Sequence, residues 1–343
     1  MSRAIAFPWA TPPDAGEVRT VAPGILWARL PLPFRLNHVN VWLIEDDDGW
    51  TAIDTGCNDA ITLAAWEGLL AGPMAGKPLK RLVATHGHVD HIGLAGWIVD
   101  RFDCRFVGTL AEWLWARIEH VPHMPGSVQA HRAYLRRNGF DAVEAERMIV
   151  SRERYIDLAV PLPGLIEEIR HGERVRMGGR DWTVIVSGGH AHAHASFHDA
   201  EGGVLIAGDQ LLPGISPVIA VYETNPLGDP LGDFLGSFAA FDQVAPETLV
   251  LPSHGLPYRG AALRMEELRI HHRDRLAQTL ALLGEPRTVR DLTRAMFPRV
   301  HDTDGIGFAV GEVLAHVNHL VRLGAVAMEE RPGSPTLYRG AKG

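Results

Sequence analysis

The segment THGHVDH at residues 85–91 constrains this chain more than any other feature of its sequence. An apolar run at 79–84 precedes it and predicts a strand, and residues 91–102 have helical spacing. Because a strand end fixes the backbone and Gly87 permits a tight loop, three imidazoles and one carboxylate can converge on one point. Neutral imidazole nitrogens and carboxylate oxygens are suitable ligands for divalent metal ions. The segment therefore predicts a metal site at a strand-to-helix junction.

Further candidate ligands follow three later apolar runs. They are His190, His192 and His194 after the first run, Asp209 after the second and His254 after the third. Taken singly, Asp209 is also compatible with a turn and His254 with a loop. In α/β proteins, functional groups gather at one edge of the sheet, beyond the strand ends. Since a few ligands in one loop cannot close a metal site, we expect these distant residues to complete it.

The pattern of strands and helices predicts an α/β fold. Two strands flank turn residues at 46–49, and helical periods cover 59–72 and 91–102. Residues 109–160 have helical periods without an evident strand, which predicts a helical insertion. Strand patterns resume over 173–189, 202–212 and 247–255, so the second half repeats the strand-rich character of the first. This repetition predicts two sheets with helices outside them, in four layers.

The last part of the chain has a different character. Residues 261–343 predict three helices and a hairpin, which resemble a winged-helix module, so we divide the chain into domains 1–260 and 261–343. The second domain has 12 Lys and Arg against 10 Asp and Glu, a net +2, which leaves −10 on the first. This balance disfavours binding to a nucleic-acid backbone. The C-terminal module packs over the cleft or forms a homodimer contact, and both alternatives stay open.

Cysteine content and hydropathy exclude several classes of protein. The chain has two cysteines, Cys57 and Cys104, which are too few for a disulfide framework. No apolar run approaches the roughly 18 residues of a membrane span, and the N-terminus does not have the pattern of a signal peptide. We therefore expect a cytoplasmic protein that does not interact with membranes.

Five segments resemble the metallo-β-lactamase superfamily: IDTG, THGHVDHIG, GGHAHAHAS, AGDQ and PSHG, in this order over residues 37 to about 258. The resemblance implies an αββα sandwich with a two-metal cleft at its edge. It implies that His86, His88 and His194 bind the first metal. It also implies that Asp90, His91 and His254 bind the second metal, and that Asp209 bridges both. Asp54 then matches the family's aspartate beneath the site.

The third of these segments departs from the family pattern Gly-His-Thr-Pro-Gly-His. Here Ala191, His192 and Ala193 replace its Thr-Pro-Gly. The register selects His194 as the ligand, makes His190 a supporting group, and leaves His192 to face either the cleft or solvent. Tyr222, after the Asp209 motif, either assists an oxyanion or packs in the loop.

The resemblance implies a metal-dependent hydrolase in which a hydroxide shared by two cations attacks an electrophilic centre. Asp90 would orient this hydroxide and accept its proton. Zn²⁺ is the default cation, and Mn²⁺ or Fe²⁺ suits the same ligands. Asp209 stands where many zinc β-lactamases have cysteine, which favours glyoxalase II-like thioesterases and lactonases that act on small acyl substrates. The helical insertion would roof the cleft. For an anionic group it would offer Arg136, Arg137 or Arg152, and for apolar contacts Trp113, Trp115, Tyr134 and Met148.

Three other functions remain open at this point. The first is a phosphodiesterase or endoribonuclease of the same fold, because a winged-helix-like module also accompanies RNA-cleaving members. The second is a mononuclear iron enzyme that resembles persulfide dioxygenases. The third is a binding module without catalysis. Cys57 is interpreted as a buried or loop thiol and not as a nucleophile, and the glutathione-binding helices of glyoxalase II are not recognisable.

Overall fold

The computed structural model describes residues 4–14, 16–119 and 126–341. Over these residues, the first sheet has seven strands, and each pairs with the next in chain order. They are β1 Val18–Ala22, β2 Ile25–Pro31, β3 His38–Asp46, β4 Gly49–Ile53, β5 Leu79–Val83, β6 Arg105–Gly108 and β7 Glu167–Glu168. The strands β1 to β4 are antiparallel, and β4 to β7 are parallel.

The second sheet has six strands in the described part of the chain, in the order β13-β12-β11-β10-β9-β8. They are β8 Arg174–Met177, β9 Arg180–Ser187, β10 His194–Asp199, β11 Val204–Gly208, β12 Leu249–Pro252 and β13 Tyr258–Arg259. Neighbours are antiparallel except β11 and β12, which are parallel. Tight turns join β3 to β4, where the sequence predicts a turn, and β8 to β9.

Helices cover both sheets and build the insertion and the C-terminal part. They are α1 Ala60–Ala71, α2 Val89–Ile92, α3 Ala95–Phe102, α4 Leu110–Glu119, α5 Ser127–Arg137, α6 Ala142–Ile156, α7 Pro230–Ser237, α8 Ala261–Leu282, α9 Val289–Met296 and α10 Thr303–Arg322. A 3₁₀ turn, Phe238–Phe241, follows α7. A hairpin of β14 Val326–Glu329 and β15 Leu337–Gly340 ends the described fold. No described helix is both long and apolar enough to cross a bilayer.

The distribution of buried side chains shows that the fold has four layers. In β3, Val39, Val41 and Leu43 belong to one hydrophobic cluster, whereas Trp42 and Ile44 belong to another. This alternation follows from the two-residue period of a strand, whose successive side chains point to opposite faces. Both faces of the first sheet are therefore buried, one against helices and the other against the second sheet.

Large side chains fill the layers on either side. Trp27 and Trp182, from different sheets, share the cluster between the sheets. Trp66 of α1 belongs to the cluster behind the first sheet, while Ile185 of β9 and Phe234 of α7 belong to the one behind the second. The predicted α/β sandwich of four layers is confirmed.

The predicted insertion is helical where it is described. It contains α4, α5 and α6, and the part of the prediction over residues 120–125 lies outside the described residues. Tyr134 and Met148 of the insertion share a hydrophobic cluster with Leu292 and Val313 of the C-terminal helices. The C-terminal segment has the predicted three helices and hairpin. Its likeness to a winged helix and the domain boundary at residue 260 stay predictions.

Candidate metal centre

The ends of several strands bring the candidate ligands to one edge of the sandwich. The ends of β4 and β5, a parallel pair, lead to Asp54 and to the loop that begins at Thr85. The parallel strands β11 and β12 lead to Asp209 and His254. The loop between β9 and β10 carries His190. Because parallel strands end at the same edge, residues far apart in sequence become neighbours there.

Three overlapping groups of donor atoms form the centre, and within each group all atoms lie within 4.8 Å of one another. The groups are His86 with His88 and His190, His86 with His91 and Asp209, and Asp90 with His91 and His254. Because the middle group shares a residue with each of the other two, the three make one continuous constellation. Six of the seven residues predicted as ligands belong to it.

The remaining predicted ligand, His194, does not join these groups. His194 is the first residue of β10, and its Nε2 accepts a hydrogen bond from the Asp209 backbone N–H at 3.1 Å. His190 takes its place, with Nε2 3.1 Å from His86 Nε2, while His86 Nε2 lies 2.8 Å from His88 Nδ1. His194 begins β10, so its position is fixed by the sheet. His190 lies in the loop before β10 and faces the centre.

Hydrogen bonds behind the rings orient three of the imidazoles. His254 Nδ1 donates to the His38 carbonyl at 2.7 Å, and His190 Nδ1 donates to the Val218 carbonyl at 2.8 Å. His91 Nδ1 lies 2.8 Å from Asp54 Oδ2. A carbonyl can only accept, so the Nδ1 atoms of His254 and His190 carry hydrogen. Their Nε2 atoms are then free to bind a metal, as in many metal sites.

Asp54 lies beneath the centre, next to Thr85 and His91. Its carboxylate accepts hydrogen bonds from the backbone N–H and the hydroxyl of Thr85, each at 2.8 Å, and faces His91. Its φ of 66° is left-handed, a conformation that costs energy for a residue other than glycine. Asp54 therefore connects the end of β4 to the ligand loop, and it is 1% exposed.

We expect Asp54→Asn to weaken metal binding by about 10–100-fold, the usual effect of losing a partner behind a ligand. Asparagine has one acceptor oxygen where the carboxylate has two, so Thr85 or His91 loses its bond. The metal dissociation constant can be measured by competition with a chelator. Asp46→Asn is the matched control, because Asp46 accepts bonds from Thr51 and Gly178 in a turn away from the centre. Equal affinity in the two variants would contradict the role of Asp54.

The charges of the centre suit a divalent cation. Burial opposes ionisation of Asp209, but His254 and His91 outweigh burial and hold the pKa of its carboxyl below the usual range. Burial likewise opposes protonation of His254, but Asp209 and Asp90 outweigh it and raise the pKa of His254 to about 10. The proton on His254 balances the carboxylates in the metal-free protein, and a divalent cation would supply the same positive charge.

Unpartnered polar atoms at the centre also fit a metal. His91 Nε2 and Asp209 Oδ1 are buried without a hydrogen-bond partner, and they face each other at 3.6 Å. Burial, together with the neighbouring His91 and His88, lowers the pKa of His86 well below its ordinary value, so this ring is neutral. Neutral imidazoles and ionised carboxylates are the forms that bind metals. The residues present therefore fit one or more divalent cations.

An open cleft of about 110 Å³ leads to the centre. His88, His190, His192 and Tyr222 line it, together with Trp115 of the insertion. The Trp115 ring lies 5.6 Å from that of His88 and 6.2 Å from that of Tyr222, measured between ring centroids. His192 is exposed, so it both faces the cleft and contacts solvent. The insertion thus contributes a wall of the cleft.

The surroundings of Arg152 change one prediction from the sequence, whereas those of Cys57 agree with another. Arg152 forms ion pairs with Glu119 at 2.7 Å and with Glu223 at 3.3 Å, so its guanidinium is not free to bind an anionic group. Cys57 is fully buried, and burial raises the pKa of its thiol, which fits the structural interpretation of this residue.

Two residues that no sequence motif singles out support the candidate ligands from a distance. His38 holds His254 through its carbonyl, and Glu112 bonds two of the ligand loops. Asn37 and His38 lie next to an apolar run, as the other candidate ligands do. They precede that run, however, whereas the other candidates follow theirs. Glu112 lies in a helical pattern that contains no such signal.

Comparison with known proteins places this fold and centre in a family. Residues 35–254 match the family described as the metallo-beta-lactamase superfamily, and residues 276–339 match the metallo-beta-lactamase-like C-terminal domain. The first match covers more than half of the chain, and the chain belongs to the metallo-β-lactamase superfamily.

Three similar proteins extend over much of the chain. A beta-lactamase domain protein from Burkholderia ambifaria, known from its crystal structure, is 34% identical, covers 98% of each chain and has a TM-score of 0.89. The probable metallo-hydrolase YqjP of Bacillus subtilis is 27% identical over 86% of this chain and 92% of its own length. The acyl-coenzyme A thioesterase MBLAC2 of Gallus gallus is 25% identical over 56% of this chain and 64% of its own length.

Proposed function

We propose that this protein is a metal-dependent hydrolase of small, uncharged esters, thioesters or lactones. One observation carries the proposal: buried and half-buried imidazoles and carboxylates from four separate segments of the chain converge at the end of an open cleft. The probable metallo-hydrolase among its relatives supports hydrolysis, and the acyl-coenzyme A thioesterase supports the acyl class.

Seven residues would hold two cations. His86, His88 and His190 would hold one, Asp90, His91 and His254 the other, and Asp209 contacts both groups. Zn²⁺ is the first expectation, and the nitrogen and oxygen donors also suit Mn²⁺ or Fe²⁺. Divalent cations held there would acidify a water molecule and polarise the carbonyl of the substrate.

Asp90 is the residue that we assign to proton transfer. Its side chain is 15% exposed, whereas that of Asp209 is 9% exposed, so Asp90 is the carboxylate of the two that is more accessible to solvent. Its Oδ2 lies 3.4 Å from His254 Nε2 and 3.5 Å from His91 Nε2. From this position it can orient a water molecule and accept its proton. Tyr222, farther along the cleft, is proposed to contact the substrate.

Charge in the cleft favours neutral substrates. Among the described residues that line it are Glu112, Asp229 and Asp233, and none of them is Lys or Arg. A phosphodiester or a coenzyme A group would bring negative charge to these carboxylates. The −10 on residues 1–260 acts in the same direction. We therefore favour small neutral acyl compounds as substrates over RNA and over large anionic thioesters.

The number of donors favours two cations over one. A single metal needs about four ligands in a closed site, whereas seven donor residues are available. This favours the hydrolase over the mononuclear iron enzyme. The glyoxalase II-like branch, the cytoplasmic location and a homodimer stay predictions.

Metal content and a substrate panel test the proposal together. The purified protein is expected to bind close to two equivalents of metal and to hydrolyse a neutral thioester or lactone in a chelator-sensitive manner. A β-lactam, an acyl-coenzyme A and bis(p-nitrophenyl) phosphate complete the panel. Preference for the phosphodiester would support the nuclease, and absence of metal and of chelator-sensitive hydrolysis would overturn the proposal.

Thioacetates of matched size test the charge preference. We expect a neutral thioacetate and acetylthiocholine to react faster than an acetylthio-alkanesulfonate, with the difference reduced at high salt because salt screens exposed charges. Asp233 is exposed and has no ion-pair partner among the described residues, so Asp233→Asn should improve the anionic substrate by about 2–5-fold. Asp242→Asn, outside the cleft, is the control with the same change of charge. An unaltered preference in Asp233→Asn would refute the electrostatic explanation.

A further inference from the structure

We propose that Glu112, on α4 of the insertion, is a positioning residue that holds the two ligand loops of the first metal group in register. The inference rests on the proposed function in so far as that function requires bound metal. It assigns the insertion a second task besides forming a wall of the cleft: its first helix clamps the metal centre.

The two carboxylate oxygens of Glu112 reach different loops. Oε2 accepts the backbone N–H of Gly87 at 2.9 Å, and Oε1 accepts the backbone N–H of Ala193 at 2.7 Å. Gly87 stands between His86 and His88 in the chain, and Ala193 belongs to the loop that carries His190. One side chain therefore ties together the loops of all three residues in the first group.

The rest of α4 is fitted closely to the same loops. A Cβ atom on Gly87 would lie 2.9 Å from Trp115 Cε3 and 3.0 Å from Ala116 Cβ, closer than real Cβ contacts. Glycine at this position thus lets the helix pack directly on the ligand loop. At the start of the helix, the Thr109 hydroxyl donates to the Ala193 carbonyl at 2.8 Å. Ala193 is consequently held from both its N–H and its carbonyl side.

The chemistry of the contact requires a carboxylate. Both partners of Glu112 are donors, and glutamine would offer one oxygen and one NH₂ group, which cannot accept. Glu112 is 4% exposed, so an N–H that loses its acceptor there stays without a partner. No ion pair joins Glu112 to a Lys, Arg or His within the described residues. Its charge is therefore used on the two loops and not in a salt bridge.

The experiment compares Glu112→Gln with Glu119→Gln. Glu119 lies on the same helix and bonds Arg152, so its variant has the same change of charge and also loses a buried contact. Zn²⁺ affinity is measured by chelator competition on the full chain, and the thermal midpoint of the metal-free protein is measured in parallel. We expect Glu112→Gln to weaken the affinity of one Zn²⁺ by about 10–100-fold, and Glu119→Gln to change it by less than about 3-fold.

A second variant keeps the test open if Glu112→Gln does not fold. Thr109→Val preserves shape but releases the Ala193 carbonyl, and it should weaken Zn²⁺ about 3–10-fold. The Co²⁺ absorption spectrum of each variant should change in intensity, because the spectrum reports the ligand geometry. If Glu112→Gln and Thr109→Val lower the thermal midpoint but leave Zn²⁺ affinity and the Co²⁺ spectrum as in Glu119→Gln, the positioning role is refuted. Failure of the unaltered protein to bind Zn²⁺ would instead refute the proposed function.

Discussion

Replacing Asp209 with alanine is expected to abolish metal-dependent hydrolysis and to remove at least one equivalent of bound metal. Asp209 Oδ2 lies 3.4 Å from His190 Nε2, and its Oδ1 lies 3.3 Å from His254 Nε2. This side chain therefore contacts both groups of candidate ligands. Losing a partner behind a ligand costs about 10–100-fold, so losing a shared ligand should cost more than about 100-fold in activity.

The measurement combines metal analysis with hydrolysis of the best neutral substrate from the panel. Asp242→Ala, on the surface outside the cleft, controls for the loss of one negative charge. Asp209→Asn keeps an oxygen at the site and should retain more metal than the alanine variant. Turnover by Asp209→Ala equal to that of the unaltered protein would contradict the role of this carboxylate.

The paired substitutions His190→Gln and His194→Gln should separate the two histidines of the third motif. We expect His190→Gln to lose one metal equivalent and more than about 100-fold of its activity, because its Nε2 faces His86 and Asp209. His194→Gln should keep both metals, since the histidine that it replaces accepts the Asp209 N–H. It should lower stability by about 1–3 kcal/mol if that N–H loses its acceptor.

Measurements of metal content and of urea unfolding in both variants distinguish the roles of His190 and His194. His190→Gln also loses a hydrogen bond, from Nδ1 to the Val218 carbonyl, so the unfolding of both variants is compared with that of the unaltered metal-free protein. The reverse outcome, metal loss in His194→Gln and metal retention in His190→Gln, would restore the register that the sequence favoured.

Patterns confined to short stretches of sequence were sufficient for much of this protein. The residues of the cluster at 85–91 are close together in the sequence, so they are near one another however the rest of the chain folds. The β3–β4 turn and the helices of the insertion also follow from local spacing. Asp209 and His254 were predictable because each follows an apolar strand, and parallel strands bring their ends to one edge.

Tertiary structure alone decided the third motif and the supports of the centre. His190, His192 and His194 occupy alternate positions in one short segment. The local pattern therefore does not distinguish which of them faces the candidate metal centre. The choice depends on where the loop ends and the strand begins, and pairing of β10 with β9 places that point at His194. Glu112 and His38 act on residues that are distant in the chain, through backbone groups that every residue has. The sequence by itself determined which residues can bind a metal, and long-range packing decided which of them converge at one edge of the fold, because orientation is set by contacts that no local pattern records.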